Sequence, residues 1–371
     1  MNKLGVFLRR SGSCLCLAAI LLSLCPTAFA ATEPTVSAAS AVLICGDDGR
    51  CLYAKDADTR REMASTTKIM TAIVALENGD LSAVVPIADE AVGVEGSSIY
   101  LRRGESMTIS DLLYALLLQS ANDAAVAIAV HVGSSVDGFV GMMNEKAEAL
   151  GLCNTHFENP HGLSEEDHYT TARDLASLAA YALKNTTFRT ICATKSAKIK
   201  GDRVIYNHNK LLLSYPDAIG VKTGFTKSGG RCLVSAAERD GSTLIAVTLR
   251  APDDWNDHTK MLDYGFSLYE TVSLAAVGEF SFRLPVLGGD AETVYIRNRD
   301  ALTLHLLKSR ASVIARPEIN RTLFAPVFEG DILGRVAFYC DEKLIATLPL
   351  YAEETVERPR PRSLWERIFQ K

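Results

Sequence analysis

Three short strings hold the residues with chemical potential. The first, "ASTTKIMTAIVALE" (Ala64 to Glu77), has Lys68 as its only charge before Glu77, just after Ser65, Thr66 and Thr67. Ser65 and Lys68 are spaced i,i+3, so a helix brings both onto one face within a turn. Ile69, Met70, Ala72 and Ile73 would desolvate an ammonium. Desolvation lowers a lysine pKa, and a neutral amine can take the proton from a serine hydroxyl. The competing reading is a serine that caps the helix and a lysine that snorkels to water. The second string is "SAN", Ser120 to Asn122. Positions i and i+2 do not share a helix face, so both side chains converge only where the helix breaks. The third, "VKTGFTKSGG", puts Lys222 and Thr223 on a strand followed by Gly224 and Phe225. A cation beside a hydroxyl suits a carboxylate, and Gly224 leaves room for a second backbone to run alongside. Taken singly, capping accounts for the second string, and an ordinary strand-to-turn tripeptide for the third.

The elements that must position these residues are legible as patterns. "SAASAVLICGDDGRCLYAKDAD" reads as two strands around an Asp-Asp-Gly turn. The apolar spacing from Ser65 to Glu77 predicts a helix ended by Asn78-Gly79. "SDLLYALLLQSANDAAVAIAVHVG" predicts two buried helices interrupted near Ser120, the second N-capped by Asp123. "VDGFVGMMNEKAEALG" predicts another, and "TTARDLASLAAYALKN" one more, with Thr171 and Asp174 spaced as a capping box. "AIGVKTGFTKSGGRCLVSAAERDGSTLIAVTLRA" alternates as two strands hinged at Asp240-Gly241, and a helix around "WNDHTKMLDYGFSLYE" follows. From about residue 275 helical periodicity gives way to short β-type runs, including "ETVYIRN", "DILGRVAFYC" and "EKLIATLPLYA", which predict a small all-β module.

The 371 residues suffice for two domains, and no basic cluster precedes the C-terminus, which argues against a nucleic-acid partner. Lys3, Arg9 and Arg10, the apolar "CLAAILLSLC" and the small-x-small "AFA" make residues 1–30 a signal peptide and the mature chain an exported one. Cleavage removes three positive charges and takes the net charge from −5 to −8. Cys45 and Cys51 flank the first turn, as a cross-strand disulfide or as two reduced thiols. No Cys-x-x-Cys and no histidine ligand spacing occurs, so no metal and no cofactor are expected. The ending "RPRPRSLWERIFQK" carries five basic residues against Glu366, a local charge of +4. Leu364 and Ile368, like Trp365 and Phe369, are four apart, so the tail suits a membrane surface; docking on its own protein is the competing reading.

The three strings in this order make up the set Ser-x-x-Lys, Ser-x-Asn and Lys-Thr-Gly, each found once. With "LLLQSANDAAVAIA", "NPHGL", "YTTARDLA" and "GVKTGFTKSGGRCLV", the chain resembles the serine D-Ala-D-Ala carboxypeptidases, the low-molecular-mass penicillin-binding proteins, over about residues 35–270. The resemblance implies an α/β (α+β) penicillin-binding, β-lactamase-like fold, an antiparallel sheet flanked by helices, with a small C-terminal all-β domain. It implies a catalytic domain over 31–272, a β-rich domain over 273–352 and the amphipathic tail over 353–371. It implies Ser65 as acylated nucleophile, Lys68 as its base, Ser120 and Lys222 as proton relay, and Asn122 on the substrate amide. Lys222 and Thr223 would meet the terminal carboxylate, beside Gly224, and the N–H groups of Ser65 and Phe225 would form an oxyanion hole. The implied partners are a peptidoglycan stem peptide and β-lactams as covalent inhibitors. For the distant arginine of some members, Arg250 and His208 are the candidates. A β-lactamase would need a deacylating Glu; Glu158, Glu165 and Glu166 lie in the right region without its pattern. A D,D-endopeptidase would use the same acylation site on a different substrate geometry, and a catalytically silent wall-binding protein would keep the fold alone.

Overall fold

The computed structural model describes residues 32–310 and 312–359. The expected signal peptide and the aromatic part of the tail lie outside these residues. The chain enters with β1 (Ser40–Cys45) and β2 (Cys51–Lys55), an antiparallel hairpin. Helices Lys68–Asn78, Ile109–Leu118, Asn122–Gly133, Val136–Ala149, Ala172–Ala182 and Thr186–Ala193 follow, with two small hairpins among them. These are β3 (Val84–Pro86) with β4 (Ser106–Thr108), and β5 (Ser196–Ile199) with β6 (Arg203–Tyr206). The chain then returns through β7 (Ala218–Thr226), β8 (Gly230–Arg239) and β9 (Ser242–Leu249) to the helix Asp254–Ser267. The main sheet has the order β2-β1-β9-β8-β7, which leaves β7 at an edge.

Both faces of this sheet are covered, which is why its central strands read as near-continuous apolar runs. On one side Val42, Val234 and Val247 pack with Ile69, Met70, Ile73, Leu116 and Ile128 of the helices. On the other, Leu43, Leu233 and Leu244 pack with Met261, Leu262 and Phe266 of the helix Asp254–Ser267. The stretch expected as two strands forms three, because Lys227, Ser228 and Gly229 make a turn between β7 and β8. The helix after Ser120 is N-capped by Ala121 rather than Asp123. The Thr171 hydroxyl accepts from Asp174 N, but the Asp174 carboxylate accepts from Asn154 N and Thr155 Oγ1, so only half of the capping box forms.

The C-terminal module is all β: β10 (Tyr269–Ala275), β11 (Ser281–Leu287), β12 (Thr293–Arg297), β13 (Leu302–Leu307), β14 (Ile314–Ile319), β15 (Leu323–Phe324), β16 (Ile332–Cys340) and β17 (Lys343–Ala352). Six of these make a sheet in the order β14-β16-β17-β12-β11-β15, and β10 pairs with β13. Val294, Ile296, Phe338 and Leu350 fill its core. Its hydrogen bonding runs on to Arg358, whose Nε donates to Ala325 O. Among the described residues no single helix is long and apolar enough to cross a membrane. Cys45 is buried, Cys51 is exposed, and both are free thiols.

Candidate active site

Ser65 sits in a 3-10 turn, Ala64–Thr67, that runs straight into the helix Lys68–Asn78. The N-cap of this turn is Met63, which makes no side-chain cap hydrogen bond. The neighbouring hydroxyls are spent on the turn itself: Thr66 Oγ1 donates to Met63 O (2.6 Å) and Thr67 Oγ1 to Ala64 O (2.8 Å). Ser65 Oγ instead accepts from Lys68 Nζ at 2.9 Å. Ala64 is held at φ 48°, a left-handed conformation that costs a non-glycine residue about 1–2 kcal/mol. Gly162, at φ 89°, presses on it, since a Cβ there would come within 2.0 Å of Ala64 O. The loop carrying Gly162 is tied further by His168. Glu158 N donates to its Nδ1 (3.0 Å), which leaves Nε2 as the donor to Thr67 Oγ1 (2.8 Å). Burial depresses His168 to about 4 and keeps that tautomer neutral.

Lys68 is fully buried. Besides Ser65 its amine reaches Asn122 Oδ1 (2.6 Å) and His161 O (2.6 Å). Burial drives its pKa well below the usual value; the charge of Lys222 pushes the same way and Asp123 opposes. Lys222 is likewise buried and donates to Ser120 Oγ (3.0 Å) and Thr223 O (2.9 Å). Burial lowers it to about 7. The two lysines therefore each hold one serine, and Asn122 joins them by following Ser120 closely in sequence while standing against Lys68 in space.

Ser120 reaches this position through a break at φ 60° between the helices that end at Leu118 and start at Asn122. Asn122 Nδ2 donates to Glu95 O at 2.5 Å, so the 95–101 loop sets the orientation of its amide. Asp123 fixes that loop: its buried carboxylate accepts from Ser98 Oγ, Ile99 N and Leu101 N.

On the opposite side, Gly224 brings β7 against the nucleophile. A Cβ on Gly224 would lie 3.1 Å from Ser65 N and 3.1 Å from the Ala64 Cβ. A side chain at this position would push strand and turn apart by a few tenths of an ångström, and glycine spares the nucleophile that shift. Phe225 projects outward, 65% exposed. Glu62 clasps the turn after β7 to the loop beside the nucleophile, its Oε2 accepting from Ser164 (2.6 Å), Ser228 (2.7 Å) and Thr226 (3.1 Å).

Ser65, Ser120, Thr223, Gly224 and Phe225 open onto one cleft of about 340 Å³. His208 lines it, whereas Arg250 does not; the arginine that does is Arg231, tethered through Nε to Asp254 (2.9 Å). Asp254 is the only carboxylate among the lining residues. Glu158, Glu165 and Glu166 are exposed at the surface. Larger hollows, about 780 and 470 Å³, lie on the β-module and where it meets the first hairpin, and neither is lined by a serine hydrogen-bonded to a buried lysine. Among the described residues no group of three or more His, Cys, Asp or Glu could hold a metal ion.

Some of these contributors left no mark in the sequence. The carbonyls of His161 and Glu95 carry no side-chain signature, although "NPHGL" was a visible string. Arg231 was hidden by the unrecognised turn before β8.

A serine whose hydroxyl is held by a buried lysine, flanked by a second such pair and by a strand edge, defines a serine acyl-transfer enzyme. The sequence model described as D-alanyl-D-alanine carboxypeptidase matches residues 27–253, and that of the penicillin-binding protein 5 C-terminal domain matches residues 269–358. The chain belongs to the D-alanyl-D-alanine carboxypeptidase family. It is 33% identical over 371 residues to the D-alanyl-D-alanine carboxypeptidase DacF of Bacillus subtilis, covering 95% of each chain. A D-alanyl-D-alanine carboxypeptidase of Streptomyces sp. K15 is 41% identical over 265 residues, 65% of this chain and 91% of that one. The crystal structure of penicillin binding protein 5 from Haemophilus influenzae superposes with a TM-score of 0.63 at 29% identity, covering 88% of this chain and 99% of that one.

Proposed function

We propose that the protein removes the terminal D-alanine from peptidoglycan pentapeptide stems through an acyl-enzyme on Ser65. The observation that carries this reading is the Ser65–Lys68 contact of 2.9 Å, made by an amine that burial holds below its usual pKa. Lys68 Nζ takes the hydroxyl proton as Ser65 Oγ bonds to the carbonyl carbon of the penultimate residue. The backbone N–H groups of Ser65 and Phe225 receive the developing oxyanion, a contribution typically of about 3–4 kcal/mol per donor. The C–N bond then breaks, and the leaving amine takes its proton through Ser120 Oγ, which Lys222 supplies. Asn122 orients the substrate amide, and Lys222 with Thr223 meets the terminal carboxylate beside Gly224. Water then cleaves the ester and returns free Ser65.

The same serine opens a β-lactam ring. The one carboxylate lining the cleft, Asp254, is engaged by Arg231, so water reaches the ester with Lys68 as its base and only where the leaving group has vacated the cleft. Cleaved D-alanine departs, whereas the amine of an opened lactam stays tethered to its own acyl group. The penicilloyl-enzyme therefore persists rather than turning over as in a lactamase. Action on wall stems requires export, so residues 1–30 serve as the signal peptide, and the basic, aromatic tail meets the outer face of the membrane. Incubation with a fluorescent penicillin tests the nucleophile: the wild-type chain labels covalently and Ser65→Ala does not. Release of D-alanine from a pentapeptide analogue tests the reaction, and its absence in a chain that still labels would leave a penicillin-binding protein with another substrate.

A further inference from the structure

A second hollow of about 350 Å³ adjoins the catalytic cleft. The two are continuous along the chain, since Ser97 and Ser120 line the first while their neighbours Ser98 and Gln119 line the second. Tyr100 stands over it at φ 58° and is 79% exposed. A left-handed conformation for an aromatic residue is an outlier that persists only where its surroundings impose it. Here they do. Tyr100 N donates to Ser98 Oγ (2.9 Å), and the residues on either side, Ile99 and Leu101, donate to the carboxylate of Asp123 (3.2 and 3.0 Å). Asp123, in turn, is the residue after Asn122. The fold thus pins the backbone of an exposed aromatic residue in the hollow beside the catalytic cleft.

We propose that this hollow is an accessory subsite for the carbohydrate part of a wall substrate, with Tyr100 as its platform; the assignment rests on the carboxypeptidase reading. A pyranose offers C–H bonds on one face and hydroxyls around its rim. An open aromatic face takes the first, and the exposed guanidinium of Arg102 with the amide of Gln119 takes the second. An apolar peptide side chain would call for an enclosed hole, whereas this hollow is open and its apolar wall, Ile99, Val204 and Ile205, leaves Val204 exposed to water. Arg203, the other cation there, is already committed to Glu105.

The test compares three readouts for Tyr100→Ala and Tyr100→Phe in the full chain: penicillin acylation, D-alanine release from a free pentapeptide, and release from the same pentapeptide on a disaccharide. Tyr100→Ala should leave the first two within about twofold and lower kcat/KM for the third about fivefold, with Tyr100→Phe retaining most of it. A loss shared equally by the free and disaccharide-linked peptides would overturn the carbohydrate assignment in favour of a peptide contact, and an unchanged third readout would overturn the subsite. A fall in penicillin acylation would make Tyr100 a support of the catalytic loop and sink the proposal as well. If the wild-type chain releases D-alanine from neither peptide, the carboxypeptidase reading itself has failed, which the penicillin arm distinguishes from a misfolded protein.

Discussion

Upstream of Tyr269 the interior holds Lys68, Lys222, Asp123, Asp254, Asp257 and His258, all buried; downstream, among the described residues, the only buried polar side chain is Asn298. The backbone divides the same way. Ala64 and Ser120 adopt left-handed conformations that no tight turn demands, whereas Asp341 and Glu342, at φ 50° and 63°, form the two-residue turn between β16 and β17, where positive φ matches the strand twist. Burying a charge costs several kcal/mol unless partners offset it, and left-handed alanines and serines add to that cost. The catalytic region bears these penalties where serine chemistry requires them. The β-module avoids them and exposes apolar residues instead, among them Phe324, Ile332 and Phe328.

Five experiments probe this contrast. The largest effect is expected from Lys68→Met, which keeps the volume and removes the base: acylation by penicillin, followed by stopped flow, should fall about a thousandfold or more. In the wild type the acylation rate should fall as pH drops through the lowered pKa of Lys68, because only the neutral amine accepts the proton. A flat profile from neutral to acidic pH would remove Lys68 from that role.

Lys222 gives the next effect, on stability. Its pKa is about 7 in the fold against 10.5 when unburied. Between those values the unfolded chain holds a proton that the folded chain lacks, so stability rises with pH across that window and is lost as pH falls through it. Urea titrations of the wild type should show a gain on the order of 2–4 kcal/mol from this group, and Lys222→Met should lose that part of the slope.

In the module, Asn298 accepts from Phe280 N (2.9 Å) and donates to Ala276 O and Asp300 O (2.8 Å each). Asn298→Ala removes all three bonds, leaving Ala276 O with Glu279 N alone (3.2 Å), and should cost about 2 kcal/mol of stability, read by denaturation, with the acylation rate unchanged. Phe324→Ser, at a site 72% exposed, should move stability by no more than about 0.5 kcal/mol. A loss of acylation in either variant would erase the division between the two regions.

The legible part of the site was its side-chain chemistry. Ser65 and Lys68 share a helical turn, so their spacing reported their contact directly, and the break at Ser120 showed as a polar triplet between two apolar runs. The unread part was carried by the main chain and by distant packing. Lys68 gets one of its acceptors from the carbonyl of His161, 93 residues away, which no side-chain pattern encodes. An aspartate before an apolar run ordinarily caps the helix, yet the carboxylate of Asp123 went to a loop 22–25 residues upstream. The strand count failed at Lys227 to Gly229 because a polar turn inside an alternating run keeps the period of two. For the fold, the first hairpin was legible in two β-type runs around an Asp-Asp-Gly turn, while the burial of all of "SAVLIC" and the order β2-β1-β9-β8-β7 depend on packing and pairings across the whole chain.

Strand β7 closes the sheet on one side with its outer ladder unpaired, next to Ser65. An open ladder recruits any extended chain that can match its hydrogen-bond spacing, and it reads the direction and handedness of a main chain before it reads side chains. The same edge is therefore where two copies of this protein would meet if their sheets were to join. Occupancy of the edge is exclusive: an extended chain seated on this ladder and a second sheet joined to it would need the same N–H and C=O groups.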